Sequence, residues 1–168
     1  MHVFLRGEKQ VGKSTVISSY LEKSYKTADG FVTYWECTGE GVQQLYLAPY
    51  AKSGQADRRL IATKREHGLE PVHEVTKLFD TYGKSLLENS GKCDYIVMDE
   101  LGFIEANAKE FIASVMSLIA GDTPILGVVK ESDVEYLCRV RTHENVSLKE
   151  VTIKNRGEVL KWLLKKDS

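Results

Sequence analysis

The chain has 168 residues, 42% hydrophobic and 28% charged, the balance of a water-soluble protein with enough length to bury a core of its own. A formal net charge of −1 supplies no global basic field for nucleic acid or an anionic membrane. Three scattered cysteines, Cys37, Cys93 and Cys138, form no CxxC pair and read as reduced thiols, not as a zinc or redox centre.

No leader-like or long apolar segment is visible, so a cytoplasmic chain with no membrane partner is expected. His2, His67, His73 and His143 have no metal-ligand spacing and read as surface or hydrogen-bonding histidines. No repeat, low-complexity tract or linker divides residues 1–168, and a single domain is expected.

In chain order, Val3-Phe4-Leu5 is a short apolar run closed by Gly7, which reads as a buried strand. Val16, Ile17, Tyr20 and Leu21 recur at helical spacing, so a helix is expected from about Lys13. Residues 31–66 are rich in strand formers, with Thr38-Gly39-Glu40-Gly41 as a turn and further strands at 42–50 and 59–63. This region reads as an antiparallel insert. Its aromatic cluster of Phe31, Tyr34 and Trp35 reads as strand packing in preference to a platform for a base. Val75, Leu78, Phe79, Tyr82 and Leu86 mark one face of a helix over 75–87. Tyr95-Ile96-Val97-Met98 is a continuous apolar run, the pattern of a strand covered on both faces, and Asp99-Glu100 ends it. A helix through Phe111, Val115, Leu118 and Ile119, a strand over 124–129, a short helix over 133–140, a strand over 148–153 and a lysine-rich helix over 157–166 complete the chain. Strands alternating with helices imply an α/β fold with a mainly parallel central sheet.

The segment Gly7-Glu8-Lys9-Gln10-Val11-Gly12-Lys13-Ser14-Thr15 fits the full GxxxxGK[ST] pattern between a strand and a helix. Glycines let successive backbone N–H groups converge on one anion, and the helix N-terminus adds its positive end. Lys13 then reaches the β- and γ-phosphates, and Ser14 offers a hydroxyl to Mg²⁺. Asp99, at the end of a buried strand, is the second expected Mg²⁺ ligand. Glu100, directly after it, stands where a carboxylate accepts a proton from an attacking water. A catalytic acid at that position favours the RecA-like or kinase-like strand order, with another strand between the phosphate-loop strand and the acidic strand. Residues 125–129 are the candidate for it. The expected architecture is a three-layer P-loop NTPase with an antiparallel β insert.

The chain also resembles the small P-loop nucleoside-triphosphatases first described from thermophiles, also called the cancer-related nucleoside-triphosphatase family. The resemblance is carried by the phosphate loop, by Gly30-Phe31-Val32-Thr33, by Asp99-Glu100-Leu101-Gly102-Phe103-Ile104-Glu105 and by Val151-Thr152-Ile153-Lys154-Asn155-Arg156. It implies Mg²⁺-dependent hydrolysis of the γ-phosphate of ATP, GTP and other triphosphates with broad base tolerance. It adds Glu105, Asn155 and Arg156 as site candidates, the last two near the base. Asn155 with Glu158 also reads as a capping box, and Glu105 as a first-turn helix acid. One departure is plain. The resemblance calls for an arginine shortly after Gly-Phe-x-Thr, and Tyr34-Trp35-Glu36-Cys37-Thr38 has none. The role then passes to Arg58, Arg59, Arg65, Arg139 or Arg141, or to a protein partner. Two alternatives stay open: a nucleoside or nucleotide kinase with Arg139 and Arg141 on a lid, and a slow nucleotide-bound switch whose insert docks a partner. No nucleic-acid partner is expected.

Overall fold

The computed structural model describes residues 2–39, 41–50, 57–88 and 93–166. Strands β1 (His2–Arg6), β2 (Ala28–Cys37), β3 (Gln43–Pro49), β4 (Arg59–Arg65), β5 (Gly68–Pro71), β6 (Tyr95–Leu101), β7 (Ile125–Val129) and β8 (Val146–Glu150) form one sheet in the order β5-β4-β3-β2-β6-β7-β1-β8. β2, β6, β7, β1 and β8 run parallel to one another. β3, β4 and β5 extend the sheet beyond β2 with antiparallel pairing. The expected intervening strand is present: β7 lies between β1 and β6.

The helices are α1 (Lys13–Ser24), α2 (Val75–Leu78), α3 (Lys84–Glu88), α4 (Lys109–Ala120), α5 (Glu135–Thr142) and α6 (Arg156–Lys166). Alternation along the parallel strands decides which helices cover which face. Val3, Leu5, Val97, Leu126 and Val128 pack with Val16, Ile17 and Tyr20 of α1 and Val159 and Leu163 of α6. Phe4, Ile96, Met98, Ile125 and Val129 point the other way, to Phe111, Val115 and Ile119 of α4 and Leu137 and Val140 of α5. Two helical layers therefore sandwich the parallel part of the sheet, and the unbroken apolar runs of β6 and β7 are apolar because both of their faces are covered. Opposite Phe4 stands Gly127, where a Cβ would come within 2.2 Å of the Phe4 ring, so the large residue on one strand uses the space left by the small one on the next.

The insert is not a sheet of its own. Ala28 to Val32 of β2 pair with β6, and Phe31 to Cys37 pair with β3, so one strand serves both parts of the sheet. At the junction Gly30 adopts φ +115°, and a Cβ there would stand 2.1 Å from the Val97 carbonyl oxygen, so only glycine lets β2 approach β6 at this point. The edge strand β5 lies just beyond the span read as strand-rich.

Several boundaries differ from expectation. The helix over 75–87 is interrupted by a π-helical turn at Phe79–Gly83. That turn places Phe79 against Phe111, with ring centroids 5.1 Å apart, and brings Asp80 to the start of α4. There its Oδ1 accepts the otherwise unpaired N–H groups of Glu110 (2.9 Å) and Phe111 (3.0 Å). α5 begins two residues later than expected, at Glu135. The last strand ends at Glu150, and the chain then turns. Thr152 N–H donates to Asn155 Oδ1 (2.8 Å) while Asn155 N–H donates to Thr152 Oγ1 (3.2 Å), leaving Ile153 outside and 70% exposed. His2 departs from the surface reading: it is buried at the head of β1, and that burial lowers its pKa. Cys37, Cys93 and Cys138 are free thiols. No helix among the described residues is long and apolar enough to cross a membrane.

Candidate active site

The phosphate loop leaves β1 through Gly7, whose φ of +133° and close approach to Val151 admit no side chain; a Cβ would sit 2.2 Å from the Val151 carbonyl oxygen. Val11 is buried and anchors the loop, whereas Lys9, Gln10 and Thr15 line the adjacent cleft. Gly12, in the left-handed region at φ 96°, caps α1, so the N-terminus of that helix opens onto the loop. Lys13 curls back over the loop, its ammonium donating to the carbonyls of Gly7 (2.8 Å) and Glu8 (2.6 Å). Burial lowers the Lys13 pKa, while the nearby Glu100 and Asp99 oppose that shift.

Ser14 donates its hydroxyl hydrogen to Asp99 Oδ1 at 3.0 Å, joining the first turn of α1 to the end of β6 across 85 residues of sequence. Asp99 is buried; desolvation pushes its carboxyl up to about 6, against the Ser14 hydrogen bond and the Lys13 charge. The β6–β7 register then slips: Asp99 pairs with Val128 and Leu101 with Val129, so Glu100 is the extra residue of a bulge. In a regular strand consecutive side chains point to opposite faces, and one of the two acids would be lost to the site. The bulge re-aims Glu100 so that it lines the cleft, while Asp99 stays behind Ser14.

The loop after the acids is held by Glu105. This carboxylate is fully buried, accepts the N–H of Gly102, and lies 2.5 Å from the hydroxyl of Tyr136 on α5. Burial raises its pKa, and the bonds from Gly102 and Tyr136 partly counter the rise. Glu105 is thus a buried brace for the 102–105 turn, not a solvated helix acid. Asn155 also braces: its Oδ1 serves Thr152 and its Nδ2 donates to the Glu150 carbonyl (3.0 Å). The reciprocal cap pairs Thr152 with Asn155, not Asn155 with Glu158. Arg156 is the member of this pair that reaches the loop, its Nη1 3.5 Å from where a Cβ on Gly12 would stand.

A cleft of about 580 Å³ runs from the phosphate loop past Glu100 to the antiparallel strands. Its far walls are Trp35, Gln43, Leu45, Lys64 and Leu69, with Phe103 and Lys130 beside Glu100. Of the three clustered aromatics, Phe31 is buried against Phe111 and Tyr34 stacks on Tyr46. Trp35 instead stands 44% exposed at the cleft. Sequence reasoning missed Lys130, Phe103 and the contribution of β3 and β4. The available signal was positional: Lys130 follows a buried parallel strand at its carboxyl end, where α/β sheets bind ligands.

None of the five arginines named as substitutes lines the cleft. Arg58 pairs with Glu36 and lies over the Tyr46 ring, Arg59 lies over Tyr82, and Arg65 faces Glu70. Arg139 is exposed on α5. Arg141 donates to the carbonyls of Lys130 (2.6 Å) and Ser132 (2.9 Å), so it holds a loop and does not form a lid.

The donor set suits Mg²⁺. Ser14 and Asp99 present two hard oxygen ligands side by side, and no cluster of three or more His, Cys, Asp or Glu exists among the described residues. Two such ligands would leave the other coordination positions of a small cation to phosphate and water, the arrangement that Mg²⁺ favours.

The NTPase family model matches residues 2–164, and the chain belongs to that family. It is 25% identical to the nucleoside-triphosphatase THEP1 of Methanosarcina barkeri, over 93% of this chain and 91% of the relative. It is 28% identical to the cancer-related nucleoside-triphosphatase homologue of Bos taurus, over 95% and 92%. The crystal structure of THEP1 from Aquifex aeolicus superimposes with a TM-score of 0.75 at 19% identity, covering 99% of this chain and 98% of that one, and shares the fold. With family membership comes the enzyme class, a hydrolase that acts on nucleoside triphosphates.

Proposed function

We propose that the chain hydrolyses the terminal phosphate of ATP, GTP and other nucleoside triphosphates in a Mg²⁺-dependent reaction. The observation that carries this reading is the convergence of Lys13, Ser14 and a bulged-out Glu100 on one cleft, with Asp99 hydrogen-bonded to Ser14 just behind it. The backbone from Gly7 through Glu8, Lys9, Gln10, Val11 and Gly12 cradles the phosphate chain, and Lys13 meets the β- and γ-oxygens as a point charge. Thr15, in the first turn of α1, and Arg156, beside Gly12, add polar contacts on the same side. Ser14 and Asp99 would hold Mg²⁺, which would neutralise phosphate charge when bound. Glu100 orients a water and accepts its proton as the oxygen attacks phosphorus.

Broad base tolerance is supported by the walls of the cleft. Trp35 offers an aromatic face, which stacks on any base, and the sequence has no Asn-Lys-x-Asp segment of the kind that reads guanine.

The test is phosphate release from ATP, GTP, CTP and UTP, with Mg²⁺ and with EDTA, for wild type and Glu100→Gln. Hydrolysis of several triphosphates is expected with Mg²⁺ alone. Glu100→Gln should fall about 10²- to 10⁴-fold in kcat while retaining nucleotide binding. A wild type that binds triphosphate but releases no phosphate would remove the hydrolase reading.

A further inference from the structure

Transfer of a phosphoryl group spreads negative charge over its oxygens, and a cation on the side facing away from the phosphate loop adds strongly to the rate. Lys130 is a cation of the cleft that does not belong to the phosphate loop. Four lysines line the cleft: Lys9, Lys13, Lys64 and Lys130. Lys130 is the one held against Glu100, its Nζ 2.8 Å from Oε1.

The fold fixes Lys130 from several directions. Its backbone N–H donates to the Leu101 carbonyl at 3.0 Å, which ties it to the end of the acidic strand. Its carbonyl accepts Arg141 Nη1 at 2.6 Å, which employs the one inward-facing arginine of α5 to seat a lysine. The stem crosses Gly102, where an added Cβ would stand 3.3 Å from Lys130 Cδ, tighter than an ordinary contact. The ammonium stands 5.3 Å from the centroid of the Phe103 ring. The side chain is 29% exposed, enough to reach a ligand and too little to be a freely solvated surface lysine.

We infer that Lys130 is a catalytic residue that contacts the terminal phosphate, exchanging its bond to Glu100 for a phosphoryl oxygen. The exchange has two effects. A fixed positive charge meets the oxygens that gain charge in the transition state, in addition to that of Lys13. Glu100 is released from its ion pair and becomes free to accept a proton. The step balances: the water oxygen forms a bond to the γ-phosphorus, the bond to the bridging oxygen breaks, and nucleoside diphosphate leaves. The water proton passes to Glu100, and Lys130 stays protonated throughout. This inference rests on the hydrolase reading above.

The experiment compares wild type, Lys130→Ala, Lys130→Gln and Lys130→Arg. For each, kcat and KM for Mg-ATP are measured, together with Kd for ADP and for a non-hydrolysable ATP analogue, with thermal melting as the check on folding. Lys130→Ala and Lys130→Gln are expected to lose about 10²- to 10³-fold in kcat, the cost of one oxyanion-stabilising donor. They are also expected to bind the triphosphate analogue about tenfold more weakly while binding ADP as wild type does, and Lys130→Arg is expected to restore part of both. Three results would overturn the assignment: kcat within about threefold of wild type, a rise in kcat, or a parallel loss of ADP and triphosphate affinity that marks a structural role. If wild type hydrolyses nothing, the hydrolase reading fails by itself, and the diphosphate-against-triphosphate comparison still decides whether Lys130 meets the γ-phosphate.

Discussion

The parallel part of the sheet and its antiparallel wing share one strand and follow different physical rules. In the parallel part every residue of β7 is buried, because α1 and α6 cover one face and α4 and α5 the other. In the wing only one face is covered. Leu45, Leu47 and Ile61 join the cluster under α4, while Tyr34, Tyr46, Glu36 and Arg58 form an aromatic and charged ladder on the opposite face. The wing ends in β5, a four-residue edge with no buried residue, closed by Pro71 and with Glu70 paired to Arg65. The doubly covered part holds the phosphate machinery rigid, and the half-covered wing supplies the outer wall of the cleft. The two are joined through Phe111, whose ring lies 5.6 Å from Phe31 of β2 and 5.1 Å from Phe79 of the π-helical turn.

Breaking that joint is the largest change expected. Phe111 is fully buried, so Phe111→Ala opens a cavity between the Phe31 and Phe79 rings and should cost about 3–5 kcal/mol in urea unfolding. If the parallel part and the wing are one cooperative unit, the slope of the transition stays that of wild type and only its midpoint moves. A second transition, or a shallower slope, would show that the wing melts independently.

The same division explains what could be read from the amino acids alone. The phosphate loop, Asp99, Glu100 and the β7 insertion between β1 and β6 follow from contiguous residues whose chemistry or burial has one solution. Gly12-Lys13 is needed at a helix start, and a five-residue apolar run such as Ile125–Val129 is needed where both faces are covered. The wing is not local in this sense. That β2 changes partner at Phe31 and Val32, and that Trp35 stands at the cleft while Phe31 is buried, depends on register with strands far along the chain. Lys130 was invisible for the same reason. Its role depends on a bulge at Glu100, a gap at Gly102 and an arginine eleven residues away, none of which is a motif. The missing arginine after Gly-Phe-x-Thr was legible; that a lysine lines the cleft, and none of the five arginines named as substitutes does, was not.

A change of about 3 kcal/mol, in the stabilising direction, is expected from Asp99→Asn. Burial raises the Asp99 carboxyl from its ordinary 3.8 to about 6. The native state therefore holds this proton more tightly than the unfolded chain. The contribution of the group to stability is greatest below about pH 4, falls as pH rises to about 6, and stays at its reduced level above that. At pH 7 the penalty of keeping Asp99 ionised is about 3 kcal/mol. In the absence of nucleotide and Mg²⁺, Asp99→Asn should unfold at higher urea than wild type at pH 7, and the wild-type decline between about pH 4 and 6 should flatten. Its hydrolysis should be lost. Equal pH profiles for the two proteins would show that Asp99 carries no such strain. The wing should show nothing comparable: the Arg58–Glu36 pair lies at the surface, where ion pairs contribute at most about 1 kcal/mol.

The smallest effect sharpens the comparison most, because it asks whether the wing only walls the cleft or enters the chemistry. Trp35 is 44% exposed, so its truncation removes little from the core, and Trp35→Ala should leave the melting temperature near that of wild type. An aromatic face against a ring is worth about 0.5–1.5 kcal/mol beyond area burial, so KM for ATP and GTP should rise by about two- to tenfold, with kcat unchanged. A uniform rise across purines and pyrimidines marks stacking, which is blind to hydrogen-bonding edges; a rise confined to one base marks selective recognition. A fall in kcat with KM intact would place the wing in the transition state, and the division between a rigid reactive half and a passive wall would no longer hold.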